Sequence, residues 1–163
     1  MIKNIILILG ILGALIILYG TTQKPPQVYY ITGAVALLVT AAYFRLLYFI
    51  ALELILIAGH FAILLGSGPY TQFALPVLLS CQLLVFYLMY GKENIVFLIL
   101  GIWGVAVLSV AYAFDNHWIF LIGSTFIATY SYYNGFKGLY PAYIWAFLNT
   151  SLILLSLYKL FIL

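Results

Sequence analysis

Residues 92–115 read KENIVFLILGIWGVAVLSVAYAFD, with charged side chains at both ends and none between Glu93 and Asp115. A transmembrane helix needs about 20 mostly apolar residues, which is close to the length of this uncharged run. A charge at the bilayer centre costs roughly 2.5–3.5 kcal/mol, so charges collect at the ends of membrane-spanning segments. The stretch therefore predicts one membrane-spanning helix with a boundary at each charged end.

The same alternation of a charge and a long apolar run continues through the chain. The other charges that bound such runs are Lys3, Lys24, Arg45, Lys137 and Lys159. The run between Arg45 and Lys92 is twice as long, and Gly66-Ser67-Gly68-Pro69 divides it. Seven transmembrane helices are therefore predicted, at about residues 4–20, 28–44, 46–65, 70–90, 95–114, 118–133 and 140–160, in one membrane domain over 1–163.

Composition supports the same fold class, an all-α integral membrane protein. Hydrophobic residues make up 67% of the chain and charged residues 6%, which is outside the range of soluble domains. The bilayer is therefore the expected partner, and nucleic acid is not. No small-residue cleavage site follows the first helix, so it is expected to stay as a membrane span rather than act as a signal peptide.

The orientation is predicted from the basic residues, which fall unequally on the two sides of a seven-helix bundle. One side has Lys3, Arg45, Lys92 and Lys137, and the other has Lys24 and Lys159. Basic residues favour the cytoplasmic side. The N-terminus is therefore predicted in the cytoplasm of a bacterial or archaeal cell, with the protein in its inner membrane and Asp115 and His117 facing outside.

A seven-residue stretch recurs with one change: LILGILG at 7–13 returns as LILGIWG at 98–104. Two further pairs of segments keep nearly the same offset, namely 31–33 with 121–123 and 44–48 with 136–140. We therefore predict two parallel three-helix repeats, at about residues 4–65 and 94–160, joined by a connector helix at about 70–90. Gly10, Gly13, Gly101 and Gly104 also allow close helix packing, a role that is compatible with the repeats.

This three-plus-one-plus-three plan resembles the seven-helix transporters of the SWEET and PQ-loop type and the nicotinamide riboside (PnuC) transporters. The resemblance covers the whole chain and implies transport of a small solute between the two repeats. A second resemblance is local and covers helices 2–7. The landmarks Gly59-His60-Phe61, Leu64-Leu65-Gly66, Ile122-Gly123-Ser124, Lys137-Gly138-Leu139 and Trp145 are similar to those of YgjV-type bacterial inner-membrane proteins.

Glu53 is the only charged residue that interrupts one of the apolar runs, and a carboxyl group at membrane depth is a functional hypothesis by default. His60 follows seven residues later, which places it on almost the same helix face about two turns away. The pair is interpreted either as steps of a proton path or as two walls of one polar cavity. The alternative is a structural role for both, with each side chain hydrogen-bonded within the bundle.

Helix 7 adds Trp145 and Asn149, one turn apart on one face, as a possible clamp for a neutral polar solute. In the register that pairs Phe44 with Phe136, Trp145 stands opposite Glu53, so the two repeats differ at this position. Gln82 of helix 4 is expected to complete a weakly polar interior, with contributions from Ser109, Ser124, Thr125 and Thr129. Packing between helices is the alternative role of each.

Two classes of function remain open. The first is a small-molecule transporter for a neutral or weakly polar solute, with proton coupling through Glu53. The second is a subunit of a homo-oligomer or larger membrane complex, because Arg45, Glu53 and residues 69–75 resemble the three-helix proton-channel subunits of complex-I-like and Mrp-type assemblies. That resemblance implies a proton relay at Glu53, with Gln82 where a second carboxyl group would stand. No enzymatic activity, metal site or cofactor is expected from the residue pattern.

Overall fold

Seven α-helices and one short 3₁₀ turn form the computed structural model, which describes residues 2–90 and 94–162. No β-strand occurs in these two ranges. The helices are α1 (Ile2–Gly20), α2 (Gln27–Tyr43), α3 (Leu47–Leu64), α4 (Pro69–Tyr90), α5 (Ile95–Phe114), α6 (His117–Phe136) and α7 (Tyr143–Phe161), and the 3₁₀ turn is Tyr140–Ala142. The prediction of seven helices is confirmed.

Several predicted boundaries are fixed by local capping. The side chain of Asn94 accepts a hydrogen bond from the backbone N–H of Val96 at the start of α5. Asn116 does the same for Trp118 and Ile119 at the start of α6. Both are N-cap positions that satisfy otherwise unpaired N–H groups of the first turn. The chain reverses between these helices through Asp115, which has a positive φ of 48°.

The sixth and seventh helices differ from the prediction at their junction. Helix α6 extends three residues past the expected Tyr133, because Asn134 bonds to the Tyr130 carbonyl within the helix and Gly135 is buried against Tyr143. It ends before Gly138, whose φ of +96° favours glycine. Pro141 lies in the 3₁₀ turn that follows, and α7 therefore begins three residues later than expected.

Four of the described helical segments are long and apolar enough to cross a membrane. These are Ile2–Gly20, Leu47–Leu64, Ile95–Phe114 and Tyr140–Phe161, with mean hydropathies of 2.4, 2.2, 2.5 and 1.5. Helix α2 has only 17 residues. Large apolar side chains also cover the outside of the bundle, for example Leu12, Trp103 and Leu154.

Helices that follow each other in the sequence pack against each other, and α1 also contacts α7, which closes a ring. Helix α3 makes an additional contact with α5. The short connections make neighbouring helices antiparallel, so charged residues collect at two ends. We call one the Asp115 end, with Lys24, Asp115, His117 and Lys159, and the other the Arg45 end, with Lys3, Arg45 and Lys137.

Glycines bring helix backbones together at two crossings. In the first, between α1 and α2, a Cβ atom at Gly33 would lie 2.5 Å from the carbonyl oxygen of Gly13. In the second, between α5 and α6, a Cβ atom at Gly123 would lie 2.7 Å from the backbone nitrogen of Leu108. Contacts this short leave no room for a side chain unless the helices shift, and the packing role predicted for Gly13 is confirmed.

Candidate functional site

Glu53 and Trp145 meet in the interior of the bundle, one from α3 and the other from α7. The indole Nε1–H of Trp145 donates a hydrogen bond of 2.7 Å to Oε1 of Glu53. Their side chains are 1% and 0% exposed. Phe49, one turn before Glu53, packs on the indole with 4.4 Å between ring centroids. The structure therefore brings together two residues that the sequence analysis assigned to separate roles.

Part of the hydrogen-bonding capacity of this cluster is unused. Oε2 of Glu53 and Oδ1 of Asn149 are buried and have no hydrogen-bond partner among the residues that the structure describes. The amide nitrogen of Asn149 donates to the carbonyl oxygen of Trp145, one turn earlier in α7. A buried acceptor without a partner costs about 1–3 kcal/mol. Two such oxygens, one on α3 and one on α7, are a chemical reason to expect a polar ligand, a proton or water at this depth.

His60 lies seven residues after Glu53 on α3, about 10 Å further along the helix axis. It packs in an aromatic triad with Tyr30 of α2 and Tyr112 of α5, with centroid distances of 5.0 Å and 4.5 Å from the histidine. The His60 side chain is 3% exposed, and its Nδ1 atom has no hydrogen-bond partner within residues 2–90 and 94–162. The imidazole therefore keeps one free hydrogen-bonding position beside the cavity described next.

A cavity of about 340 Å³ occupies the Asp115 end of the bundle. Its polar and charged lining comes from the ends of five helices and their loops: Gln23, Lys24, Gln27, Asp115, His117 and Lys159. Its inner wall includes Tyr30, His60 and Tyr112 of the aromatic triad, with Leu152 and Ser156 of α7. Lys24 and Asp115 are exposed, so the cavity opens at this end.

The cavity extends well into the bundle. Leu152 lies nine positions before the end of α7 at Phe161, which corresponds to about 13 Å along the helix axis. A second pocket of about 10 Å³, the size needed for roughly one water molecule, lies beside His60 among α3, α4 and α5. The cavity, His60 and Glu53 thus follow one another along α3 from the Asp115 end towards the middle of the bundle.

Aromatic side chains fill the bundle towards the Arg45 end. The hydroxyl group of Tyr48, at the start of α3, donates a 2.7 Å hydrogen bond to the carbonyl oxygen of Gly101 in α5. The Tyr48 ring lies 4.1 Å from that of Tyr130, and Phe49 joins the same cluster. All three aromatic residues are buried. The bundle is therefore open at the Asp115 end and packed with aromatic rings near the other.

Not every predicted site residue belongs to this arrangement. Gln82 is exposed on the outside of α4, so the expectation that it completes a polar interior is wrong. Thr125 and Thr129 are also exposed, and each hydroxyl bonds to a carbonyl of its own helix. Ser109 and Ser124 are buried as expected. The indole N–H of Trp145 and one N–H of the Asn149 amide are used within the protein, so the proposed Trp145–Asn149 clamp keeps Oδ1 and the second amide N–H of Asn149 for a solute.

The sequence analysis missed the residues that line the mouth of the cavity. The sequence analysis interprets Lys24, Asp115 and Lys159 only as markers of helix boundaries and of orientation. The predicted topology could have indicated that these residues lie near each other, because it places all of them at the same end of a seven-helix bundle. What the sequence could not give is which helices stand next to each other around that end.

No protein-family model, curated protein or solved structure matches this chain. The fold and the site define it as a seven-helix bundle over the described residues, with four segments able to cross a membrane and one cavity that opens at the Asp115 end.

Proposed function

We propose that this chain is a membrane transporter that takes a small polar solute into the cavity at the Asp115 end and couples its movement to protons through Glu53. The observation that carries the proposal is the continuous order of an open cavity, a buried histidine and a buried carboxyl group along α3. Transporter sites typically lie near the bilayer midplane between two halves of the bundle. Glu53 is near the middle of α3 and bonds to α7.

Membrane insertion of all seven helices is part of the proposal. The outer surface is rich in exposed leucine, isoleucine, valine and aromatic side chains, which soluble proteins do not show over such an area. The charged residues of the described helices lie at their ends, apart from Glu53. We place the protein in the inner membrane of a bacterial or archaeal cell, with the N-terminus in the cytoplasm.

Two parallel three-helix repeats joined by α4 are also proposed. The two glycine crossings support them, because Gly13 faces Ala36 and Leu37 while Gly104 faces Phe126 and Ile127, which are the corresponding positions. Gly10 against Thr40 and Gly101 against Tyr130 form a second matched pair. Glu53 and Trp145, opposite in the sequence alignment, touch each other, as residues beside a pseudo-two-fold axis would.

Transport then requires the bundle to open at the Arg45 end and close at the Asp115 end. The hydrogen bond from Tyr48 to Gly101 and the contact from Trp145 to Glu53 join helices of different repeats. Relative rocking of the repeats would break or exchange these contacts, in the manner of alternating access. Tyr140, the sequence counterpart of Tyr48, is 73% exposed, whereas Tyr48 is 2% exposed, so the two halves contribute unequally to the closed end.

Filling the cavity tests the proposal. Ser156 is buried and lines the cavity, so Ser156→Leu places an isobutyl group inside it. Ser151 lies on the same helix outside the cavity lining, and Ser151→Leu is the matched control. We expect Ser156→Leu to lower solute uptake into proteoliposomes by about tenfold, corresponding to roughly 1.4 kcal/mol of lost binding, with the control unchanged. Equal uptake by both variants would contradict transport through this cavity.

The second candidate is a subunit of a homo-oligomer or a larger membrane complex, such as a proton-channel subunit of a complex-I-like or Mrp-type assembly. Gln82 favours it, because an amide on the exposed face of α4, near the middle of the helix, would hydrogen-bond to a polar side chain of another membrane helix. The liposome experiment separates the candidates. Uptake by the purified chain alone supports the transporter, whereas uptake only after addition of partner chains supports the subunit.

A further inference from the structure

We propose that the ligand of the cavity is a small zwitterion of the amino-acid class, with its carboxylate towards Lys24 and Lys159 and its ammonium group towards Asp115. This inference rests on the proposed function and names its substrate class. A zwitterion is neutral overall, and it has both kinds of charge that the lining complements. The cavity volume of about 340 Å³ is near the lower limit of small-molecule sites, which are about 300–1,000 Å³.

The charges of the lining select against ions of a single sign. Lys24 and Lys159 are the lysines of the lining, and Asp115 is its carboxylate. A simple cation would gain one favourable partner and meet two like charges, and a simple anion would leave Asp115 without a counter-charge. A carboxylate has two oxygens, which match two ammonium donors through charge-assisted hydrogen bonds. A ligand with one carboxylate and one ammonium group is complementary to all three.

The inner wall supplies a place for the remainder of such a ligand. Tyr30, Tyr112 and Phe120 line the cavity, and the Tyr112 and Phe120 rings stand edge to face at 4.8 Å. Aromatic faces accept apolar side chains and also attract ammonium groups. His60 lies beside them, and its buried Nδ1 atom has no hydrogen-bond partner among the described residues. This is an observation independent of the lysines.

The sizes of the interaction energies indicate how much of the ligand's binding free energy comes from the charged mouth of the cavity and how much from the aromatic wall. Ion pairs in contact with water contribute roughly 0.2–1 kcal/mol, so each charge at the mouth changes the dissociation constant by about fivefold at most unless water is excluded. The charged groups therefore decide which class of ligand binds, and burial against the aromatic wall supplies most of the affinity.

Thermal unfolding of the purified full chain in detergent provides the test. The probes are the neutral α-amino acids, one at a time, each with the carboxylic acid and the amine that result from deleting one charged group. We expect at least one amino acid to raise the unfolding temperature in a saturable manner, and its acid and amine to need an about fivefold or greater concentration for the same shift. The inference is overturned if an acid or an amine alone matches the amino acid, or if none of the amino acids binds.

Charge variants identify the groups that the ligand uses. Lys159→Gln should weaken binding of the amino acid and the acid by about fivefold, and Asp115→Asn should weaken the amino acid and the amine by a similar factor. Asparagine tolerates the positive φ of Asp115, so this change preserves the backbone. Lys137→Gln at the Arg45 end removes the same charge from an exposed site and is the control. Equal effects of Lys137→Gln and Lys159→Gln would contradict the assignment.

Binding and transport can fail separately. If a different solute class is taken up and Ser156→Leu blocks it, the proposed function stands and the zwitterion inference falls. If an amino acid binds saturably to the purified chain but proteoliposomes do not accumulate it, the ligand class stands and transport falls.

Discussion

The hydrogen bond between Trp145 and Glu53 links positions 92 residues apart and uses the single donor of the indole ring. The bond satisfies Oε1 but leaves Oε2 buried with no partner among the described residues. Substitutions at the two residues should therefore have different effects. Removing the indole donor leaves Oε1 without its partner as well, whereas replacing the carboxyl group by an amide keeps an acceptor in the same place.

Glu53→Gln should preserve expression and fold and abolish the pH dependence of uptake, because the amide accepts from Trp145 but cannot exchange a proton. We expect its free energy of unfolding to change by less than about 1 kcal/mol. Uptake measured at several pH values on both sides of the liposome checks this. A glutamine variant that keeps a normal pH profile would assign proton coupling to another group, and one that fails to fold would make Glu53 structural.

Variants of Trp145 and further variants of Glu53 separate a structural role of this hydrogen bond from a role in proton coupling. Trp145→Phe removes the donor and should cost about 1–3 kcal/mol, more than Glu53→Gln. Glu53→Leu leaves the indole N–H unpaired, and Glu53→Leu combined with Trp145→Phe removes both partners. The double variant should therefore be more stable than the sum of the single changes predicts, which denaturant unfolding in a double-mutant cycle measures.

At the scale of single residues, the sequence identified candidate site residues from their chemical type, but it did not predict which residues they contact. Glu53 was identifiable because it is a lone charge in an apolar run, and His60 because it shares its face. The bond to Trp145 was out of reach, since helical periodicity orients side chains within one helix and says nothing about which helix stands opposite. Gln82 was misplaced for the same reason.

At the scale of helices, both copies of the recurring sequence segment lie at a glycine crossing. The LILGILG and LILGIWG segments each place two glycines on the helix face that meets the next helix, and Gly33 and Gly123 complete the contacts from the other side. Helix ends were predictable because capping residues, glycines and prolines act locally. The extension of α6 to Phe136 was not, because it depends on the packing of Gly135 against Tyr143 of another helix.

Gly33→Ala and Gly123→Ala should destabilise the protein to a similar degree. A Cβ atom would lie 2.5 Å from Gly13 in the first case and 2.7 Å from Leu108 in the second, so the helices must separate. Overpacking costs about 1–3 kcal/mol, more than the gain of up to about 1 kcal/mol in helix propensity. Gly68→Ala, with no atom within 4 Å of the new methyl group, is the control. If only one of the two variants lowers the unfolding temperature, the two crossings are not equivalent.

For the whole molecule, the charges that delimit the helices also form the mouth of the cavity. In the proposed membrane arrangement, the bundle must end in polar residues where it meets water. Lys24, Asp115 and Lys159 would meet that requirement, and they also line the opening of the cavity. The number of helices followed from the spacing of charges along the chain. The cavity did not, because it depends on how the helix ends are arranged around the ring.

The orientation of the bundle determines which compartment the cavity faces, and the excess of basic residues at the Arg45 end predicts that this end is cytoplasmic. Cys81 is the only cysteine, so Cys81→Ala gives a background for single-cysteine labelling. Lys24→Cys and Lys137→Cys then place one exposed thiol at each end. A membrane-impermeant maleimide added to intact bacterial cells should label position 24 and reach position 137 only after the membrane is opened. The reverse pattern would turn the cavity towards the cytoplasm, and labelling of both positions in intact cells would contradict a single orientation.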